Sequence, residues 1–368
     1  MINFGFFPSR KIAFYMVRLF LTRSLAVLVI LVLILMTLDL LGEAGKILAV
    51  PGNGDSDLWH YVGLRIPVLA SRFLPFSVLL GTLIAFVGLN QHSEVVAMKA
   101  AGLSAHQILA PLIVASIGIA AALFAFNEGV VVNSARHVNA WGDNGYRPIP
   151  PASGVLTNVW VLSGDDLVKA GIVAGRGPRM RLQRVTIYDR NGGILQRVIT
   201  SPRAAPDPSG HGWLLEDPSI YNANMNAVRQ AGGRMNALPG VTQAQLTLAK
   251  VDPAELDYWT LEKRITELQQ AGRPTDEARA GLAHKISGPL STLLMPLLAA
   301  IAAFGLARSG QVLLRAVIGM ALGFAYFVAD NFSLAMGNAG AYSPLVAAWA
   351  PFFLFLLIGE TVLMRTEE

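Results

Sequence analysis

Two carboxylates stand inside apolar tracts, Asp39 in ILVLILMTLDLLGEAG and Asp330 in GFAYFVADNFSLAMG. Brought together, they could share a proton and act as the acid and base of an intramembrane aspartyl hydrolase. A charge at membrane depth costs about 2.5–3.5 kcal/mol on insertion scales, so each needs a structural reason. Both fall close to the expected outer membrane boundary, where headgroups and water relieve that cost, so a boundary or cavity-lining role is the expectation and hydrolysis the alternative. The histidines, among them His92, His106 and His137, occur singly, without the i,i+4 pairing or clustered carboxylates that hold a metal. No nucleotide-binding loop is present: Gly171 to Gly177 offers glycines but no Lys-Ser/Thr, and Gly45-Lys46 is followed by Ile47.

The elements that must carry these residues are membrane helices. The chain is 53% hydrophobic and only 14% charged, with a mean hydropathy of +0.49, and so much apolar mass needs lipid to cover it. Charge-poor runs long enough to cross roughly 30 Å of hydrocarbon lie at Ser24–Leu41, Phe73–Leu89, Ile108–Phe126, Ile286–Leu306, Ala316–Phe332 and Leu345–Met364. The first is expected to extend back through Ile12 to Phe20, with Arg18 and Arg23 reaching to the interface. Its length argues against a cleavable signal peptide. The pI near 9.5 is not gathered into a basic patch with interleaved aromatics, so nucleic acid is not expected as a partner. Arg10, Lys11, Arg18 and Arg23 precede the first span, Arg308 and Arg315 flank the loop after the fourth, and the loop from Ser333 to Pro344 has no Lys or Arg. By the positive-inside rule both termini face the cytoplasm. The absence of cysteine fits an oxidising compartment without requiring one.

Between Asn127 and Lys285 hydropathy falls and Gly, Pro, Asp and Asn multiply, which marks an inserted soluble domain. Val155–Leu162, Arg181–Asp189 and Ile194–Ser201 read as strands, with Asn191-Gly192-Gly193 as a hairpin turn between the last two. Shorter strands are expected at Gly212–Glu216, Ser219–Ala223 and Gln243–Val251, which favours a β-sandwich or jelly-roll. Asp252-Pro253-Ala254-Glu255 then predicts a helix from about Pro253 to Ala271, ended by Gly272 and Pro274. Its apolar residues Leu256, Trp259, Ile265 and Leu268 would pack on its own domain.

The segment Gln91-His92-Ser93-Glu94-Val95-Val96-Ala97-Met98-Lys99-Ala100-Ala101-Gly102-Leu103-Ser104 joins the second and third spans. Ser93 could cap a two-turn helix with Glu94 in its first turn and Gly102 as its stop, and Val95, Met98 and Ala101 would form one face, a small knob suited to a groove on another protein. This S-E-x-x-x-M-x-A-x-G-[LF]-S arrangement, preceded by a span containing Pro75, resembles the lipopolysaccharide export permease family, LptF/LptG. The likeness extends over nearly the whole chain. The tract Leu58 to Ser104, Val185-Thr186-Ile187-Tyr188 with Leu195-Gln196, and Val251-Asp252-Pro253 are closer to the LptG branch.

The resemblance implies a membrane α-helical protein of six transmembrane helices in a 3+3 arrangement, with an inserted all-β periplasmic jelly-roll. Residues 1–126 would carry helices one to three and a cytoplasmic coupling helix at 93–102, residues 127–251 the β-jelly-roll, 252–285 a periplasmic helical connector, and 286–368 helices four to six. Members pair with an LptF-like permease, bind an LptB-like cytoplasmic ATPase dimer and associate with an LptC-like single-span protein in the Gram-negative inner membrane. The chain itself would then need no cofactor, ATP being used by the partner, and would extract lipopolysaccharide without catalysing a reaction. Ser93, Glu94, Val95, Met98 and Gly102 would couple to the ATPase. Lipid A carries phosphates, and Lys46, Arg65, Arg72 and Arg136 are the cations expected near the outer headgroups; interfacial anchoring is the other role open to all four. A permease for another lipid or lipoprotein remains the alternative.

Overall fold

A computed structural model describes residues 8–148, 156–175, 177–207, 212–222, 228–230, 233–238, 240–241, 246, 251–270, 273–304 and 312–365. The chain divides into two compact units, one of 1–48, 53–136 and 253–368 and the other of 49–52 and 137–252.

The first unit is helical. Its long elements are α1 (Arg10–Leu48), α2 (Asp55–Gln91), α4 (Ala105–Phe126), α7 (Asp276–Phe304), α8 (Val312–Asn338) and α9 (Pro344–Arg365), with the short α3 (Glu94–Ala100) between α2 and α4. After α4 the helix does not stop: one π turn, Asn127–Val131, leads into α5 (Val132–Asp143). Among the described residues five helices are long and apolar enough to cross a membrane: α1, α2, the continuous helix 105–143, α8 from Val317, and α9. A helical membrane protein is therefore what the apolar composition builds, because a helix satisfies its own backbone in lipid. Pro67 and Pro75 lie inside α2, and Pro289 and Pro296 inside α7, a usage that packed neighbours permit.

The helical core gathers on α7, which packs against α2, α4, α8 and α9. Leu294, Met295, Leu297, Leu298, Ala299 and Ala300 are all buried there, alongside Leu79, Phe86, Ile108 and Phe355. By contrast α1 rests mainly on α2 and leaves Leu25, Val29, Ile30, Leu33, Leu38 and Leu41 exposed. Close approach is bought by small residues: a Cβ on Gly81 would lie 2.4 Å from Ser24 Oγ and 2.5 Å from its Cα, so the α1–α2 crossing requires glycine. Gly323 of α8 likewise lies against a neighbour, here the end of the Leu79 side chain.

The second unit is built on an all-antiparallel sheet of β1 (Leu156–Ser163), β2 (Asp166–Ala174), β3 (Arg181–Asn191), β4 (Ile194–Pro206), β5 (Trp213–Glu216), β6 (Ser219–Asn222), β7 (Val228–Gln230) and β8 (Arg234–Ala237). Its order is β1-β2-β3-β4-β5-β8, with β6 pairing β4 and β7. The expected hairpin turn is present: Asn191 opposes Ile194, and Gly192 and Gly193 both take positive φ, as a two-residue loop between right-twisting strands demands. One face buries Val159, Val161, Val168, Ala170, Val185, Ile187, Trp213 and Leu215, and the indole N–H of Trp213 donates to the Val241 carbonyl.

β2 escapes the sequence reading for a physical reason. Burial in β2 runs Val168, Ala170, then Val173, and in β3 it runs Ile187, Val185, then Leu182. The alternation changes phase in both strands between the same rungs, at Gly171 opposite Arg184, where Arg184 takes φ +52°. A strand that swaps faces midway no longer shows a simple period of two.

Four other expectations need correction. Residues 127–143 are helical, so the β-rich part begins later than 127, because Val132, Ala135, Val138 and Trp141 continue a buried stripe at i,i+3 spacing. The helix expected from Pro253 is a 3-10 turn, Pro253–Glu255, followed by α6 (Tyr258–Gln270). Asp257 supplies the cap, accepting the Thr260 N–H at 3.0 Å, and the buried stripe is Leu261, Ile265 and Leu268 while Trp259 is exposed. β7 and β8 were not expected, and the predicted strand Gln243–Val251 lies outside the described residues apart from Leu246 and Val251, as do Ala271 and Gly272. Finally, α2 begins at Asp55, well before Phe73, since Asp39 and Arg65 neutralise each other between α1 and α2.

Candidate functional site

α3 is a seven-residue helix on a turn between two long ones. Its end follows from Gly102: at φ +86° this residue lets the Leu103 N–H reach the Met98 carbonyl at 3.1 Å and its own N–H reach Lys99 O at 2.9 Å, closing the helix in a Schellman motif. The start differs from expectation. Ser93 sits in the left-handed region at φ 56° and its side chain makes no capping bond. The cap of the next helix is the well-formed one, with Ser104 Oγ accepting from Gln107 N–H and the Gln107 side chain accepting the Ser104 N–H.

The faces of α3 also differ from expectation. Val95 is 4% exposed and belongs to the helical core, and Met98 and Leu103 pack against that core. They fasten the helix to its own protein. Val96, 65% exposed, with Ala97, Lys99 and Ala100, forms the outward side. Glu94 is half-buried and its Oε1 accepts a hydrogen bond from the Tyr15 hydroxyl of α1 at 3.3 Å. Nearby in sequence, His106 of α4 meets Glu360 of α9 at 3.2 Å.

A second polar group lies roughly two to three helical turns in from the ends of the helices opposite α3. Arg65 Nη2 and Nε donate to both oxygens of Asp39 at 2.9 and 3.1 Å, and Tyr61 donates to Asp39 at 2.6 Å. Lys285 of α7 pairs with Glu128 of the π turn at 2.8 Å with both side chains largely buried, and the Tyr258 N–H also donates to Glu128. His284 Nε2 stands 3.8 Å from Asp330 Oδ2. Ser71 donates to Asn127 Oδ1. Thus a π turn, whose extra residue re-aims its side chains, ties α2, α7 and the start of α6 together.

The four cations expected to face headgroups fare differently. Lys46 pairs with Glu43 at 2.7 Å, Arg65 with Asp39, and Arg136 donates through Nε and Nη2 to the Glu255 carbonyl at 3.2 and 2.9 Å. Arg72 is exposed and has no hydrogen bond or ion pair among the described residues. Asp39 and Asp330, the two carboxylates of the hydrolase alternative, each have a different basic partner. The pairs Glu128–Lys285 and His284–Asp330 were missed by sequence reasoning; a lone Lys beside a His inside an apolar helix was the available signal. Among the described residues no group of three metal-ligating side chains occurs.

Comparison with known proteins agrees with this architecture. The family model for the lipopolysaccharide export system permease LptF/LptG matches residues 14–365. The chain is 26% identical over 313 residues to the lipopolysaccharide export system permease protein LptG of Escherichia coli (strain K12), covering 83% of this chain and 84% of that protein, and equally to the protein of that name from Escherichia coli O6:H1. It is 22% identical over 333 residues to the LptG of Haemophilus influenzae, covering 86% and 89%. With an apolar helical unit, a separate antiparallel sheet unit and a family match over nearly its full length, the chain belongs to the LptF/LptG family of lipopolysaccharide export permeases.

Proposed function

We propose that this chain is an LptG-type, non-catalytic half of an ATP-driven exporter that lifts lipopolysaccharide out of the inner membrane. Family membership makes it a permease of the lipopolysaccharide export system. In this reading α1, α2, α4, α7, α8 and α9 are six spans, both termini are cytoplasmic, and the sheet unit is a periplasmic jelly-roll. An LptF-like permease supplies the other half, an LptB-like dimer supplies ATP hydrolysis, and an LptC-like single-span protein associates with the pair.

The observation that carries this reading is α3. Its inner residues are anchored in the helical core while Val96, Ala97 and Ala100 point away from it, the form expected of a lever pressed by a separate subunit. A rigid-body stroke at α3 shifts the bundle between two arrangements only if the ATPase contacts differ between them. Glu94 remains the side chain assigned to that contact, Ser93 and Gly102 bound the helix, and Val95 and Met98 transmit the load inward. Arg72 is the cation assigned to lipid A phosphate, with Lys46, Arg65 and Arg136 contributing only if they exchange their present partners.

The test is co-purification of the ATPase with the permease pair, together with lipopolysaccharide-dependent ATP hydrolysis. Glu94→Lys and Val96→Asp are expected to reduce complex yield or uncouple hydrolysis from transport while leaving the isolated permease folded. Normal yield and normal export in both variants would remove the assignment.

A further inference from the structure

The sheet unit contains a concavity that the export reading does not use. It has a volume of about 350 Å³ and is lined by Val50 and Pro51, by Asp143 and Gly145 at the end of α5, and by Arg147 and Arg184. All of these residues belong to the second unit. The volume is at the lower end of small-ligand pockets, about 300–1,000 Å³, and exceeds what a bare ion needs.

Both arginines are delivered by unusual backbone. α5 ends through Gly145 at φ +64° and Tyr146 at φ +57°, with Gly145 N–H on Gly142 O and Tyr146 N–H on Trp141 O. Tyr146 is buried edge-on against Trp141, ring centroids 5.2 Å apart, which holds the turn and starts Arg147 from a set position. Arg184 takes φ +52° in mid-strand, a conformation that costs a non-glycine residue about 1–3 kcal/mol and is kept where the surroundings or a role require it. Opposite it, a Cβ on Gly171 would lie 2.9 Å from Arg184 Nε, so glycine makes room for this side chain to lie across β2. Both arginines are exposed, and neither guanidinium has a hydrogen bond or ion pair among the described residues. Asp143 lines the same cavity and is itself not without a partner.

We infer that Arg147 and Arg184 form a binding site for a phosphate-bearing headgroup. Two unengaged guanidinium groups, each able to present paired N–H donors to phosphate oxygens, supply the recognition. Val50 and Pro51 supply an apolar wall for the sugar or glycerol that carries the phosphate. The segment 49–52 directly joins the ends of α1 and α2, so the site is tethered to two spans and a lipid is its natural source. The site stands independently of α3 and of ATP coupling.

The test uses the full chain in phosphatidylcholine nanodiscs, measuring binding of fluorescent lipopolysaccharide and, separately, fluorescent phosphatidylglycerol, each with and without competing inorganic phosphate. The variant R147Q with R184G is expected to bind about tenfold more weakly than the unaltered chain. Arg184→Gly removes the guanidinium while relieving the positive φ, so its thermal midpoint is expected to be unchanged or higher, and lost binding cannot then be ascribed to misfolding. Selectivity for lipopolysaccharide identifies an export subsite, equal binding of phosphatidylglycerol a resident-lipid site, and competition by phosphate alone a headgroup-level anion site; each supports the assignment. Unchanged affinity of the double variant for all three overturns it. Because ATP-coupled export is measured separately, loss of this site with intact export leaves the proposed function standing, and the reverse result leaves this site standing.

Discussion

The two ends of the helical unit are held by different forces. Around α3 the contacts are mostly apolar: Val95, Phe86, Leu89, Ile108 and Leu112 meet in one cluster, with His106–Glu360 as an ion pair beside it. At the opposite end the helices are joined by Asp39–Arg65–Tyr61, Glu128–Lys285, Ser71–Asn127 and His284–Asp330. Apolar packing is non-directional and tolerates sliding, whereas a bidentate or buried pair specifies both distance and orientation. In the proposed mechanism the α3 end would receive the displacement and the far end would set the pivot about which it turns.

The sharpest way to break this contrast is Lys285→Met. It leaves the Glu128 carboxylate largely buried without its cation, and the expected loss is about 3 kcal/mol of stability, measured as a fall in unfolding midpoint in detergent. Adding Glu128→Gln should recover most of it, since the uncompensated charge and not the missing bond carries the penalty. If Lys285→Met is neutral, the far end is not held by ion pairs.

Next in size, Val95→Ala should cost about 2 kcal/mol, because a 4%-exposed side chain leaves the core. Val96→Ala, one residue on, should leave the midpoint unchanged. Equal effects at the two positions would mean that α3 does not have an anchored and a free face.

The smallest effect concerns Asp257. The Thr260 side chain and N–H hold its carboxyl below the ordinary carboxylate range. A depressed folded pKa stabilises the fold above the unfolded value, and the contribution is lost as pH falls through the folded one. Hydrogen exchange at the first turn of α6 should therefore accelerate as pH drops below about 4 after correction for the intrinsic rate. Asp257→Ala should remove that extra acceleration and cost about 1 kcal/mol of helix stability at neutral pH.

What could be read from the residues follows from the range of the forces involved. The apolar helical character was legible because hydropathy is a local sum, and the hairpin at Gly192-Gly193 because its turn chemistry is local too. The orientation of α3 was not. Val95 and Val96 are alike as residues, and only the packing of Phe86, Ile108 and Leu112 decides which one turns inward. The pairing of the expected cations was hidden for the same reason: Arg65 looks available until Asp39, on another helix, is brought within 3 Å. Asp257 displaced Asp252 as the cap because two competent caps stood five residues apart, and burial of Leu261, Ile265 and Leu268 selected between them.

The extent of α1 has one further physical consequence. Thirty-nine helical residues rise roughly 58 Å, about twice the thickness of bilayer hydrocarbon. Such a rod must lean or project beyond the lipid, and its inclination becomes a function of membrane thickness. Since its crossing with α2 is set by the Gly81–Ser24 contact, thinning or thickening the host bilayer should be felt as torque on that contact. The acyl-chain length of the surrounding phospholipid is thereby a mechanical input to this protein.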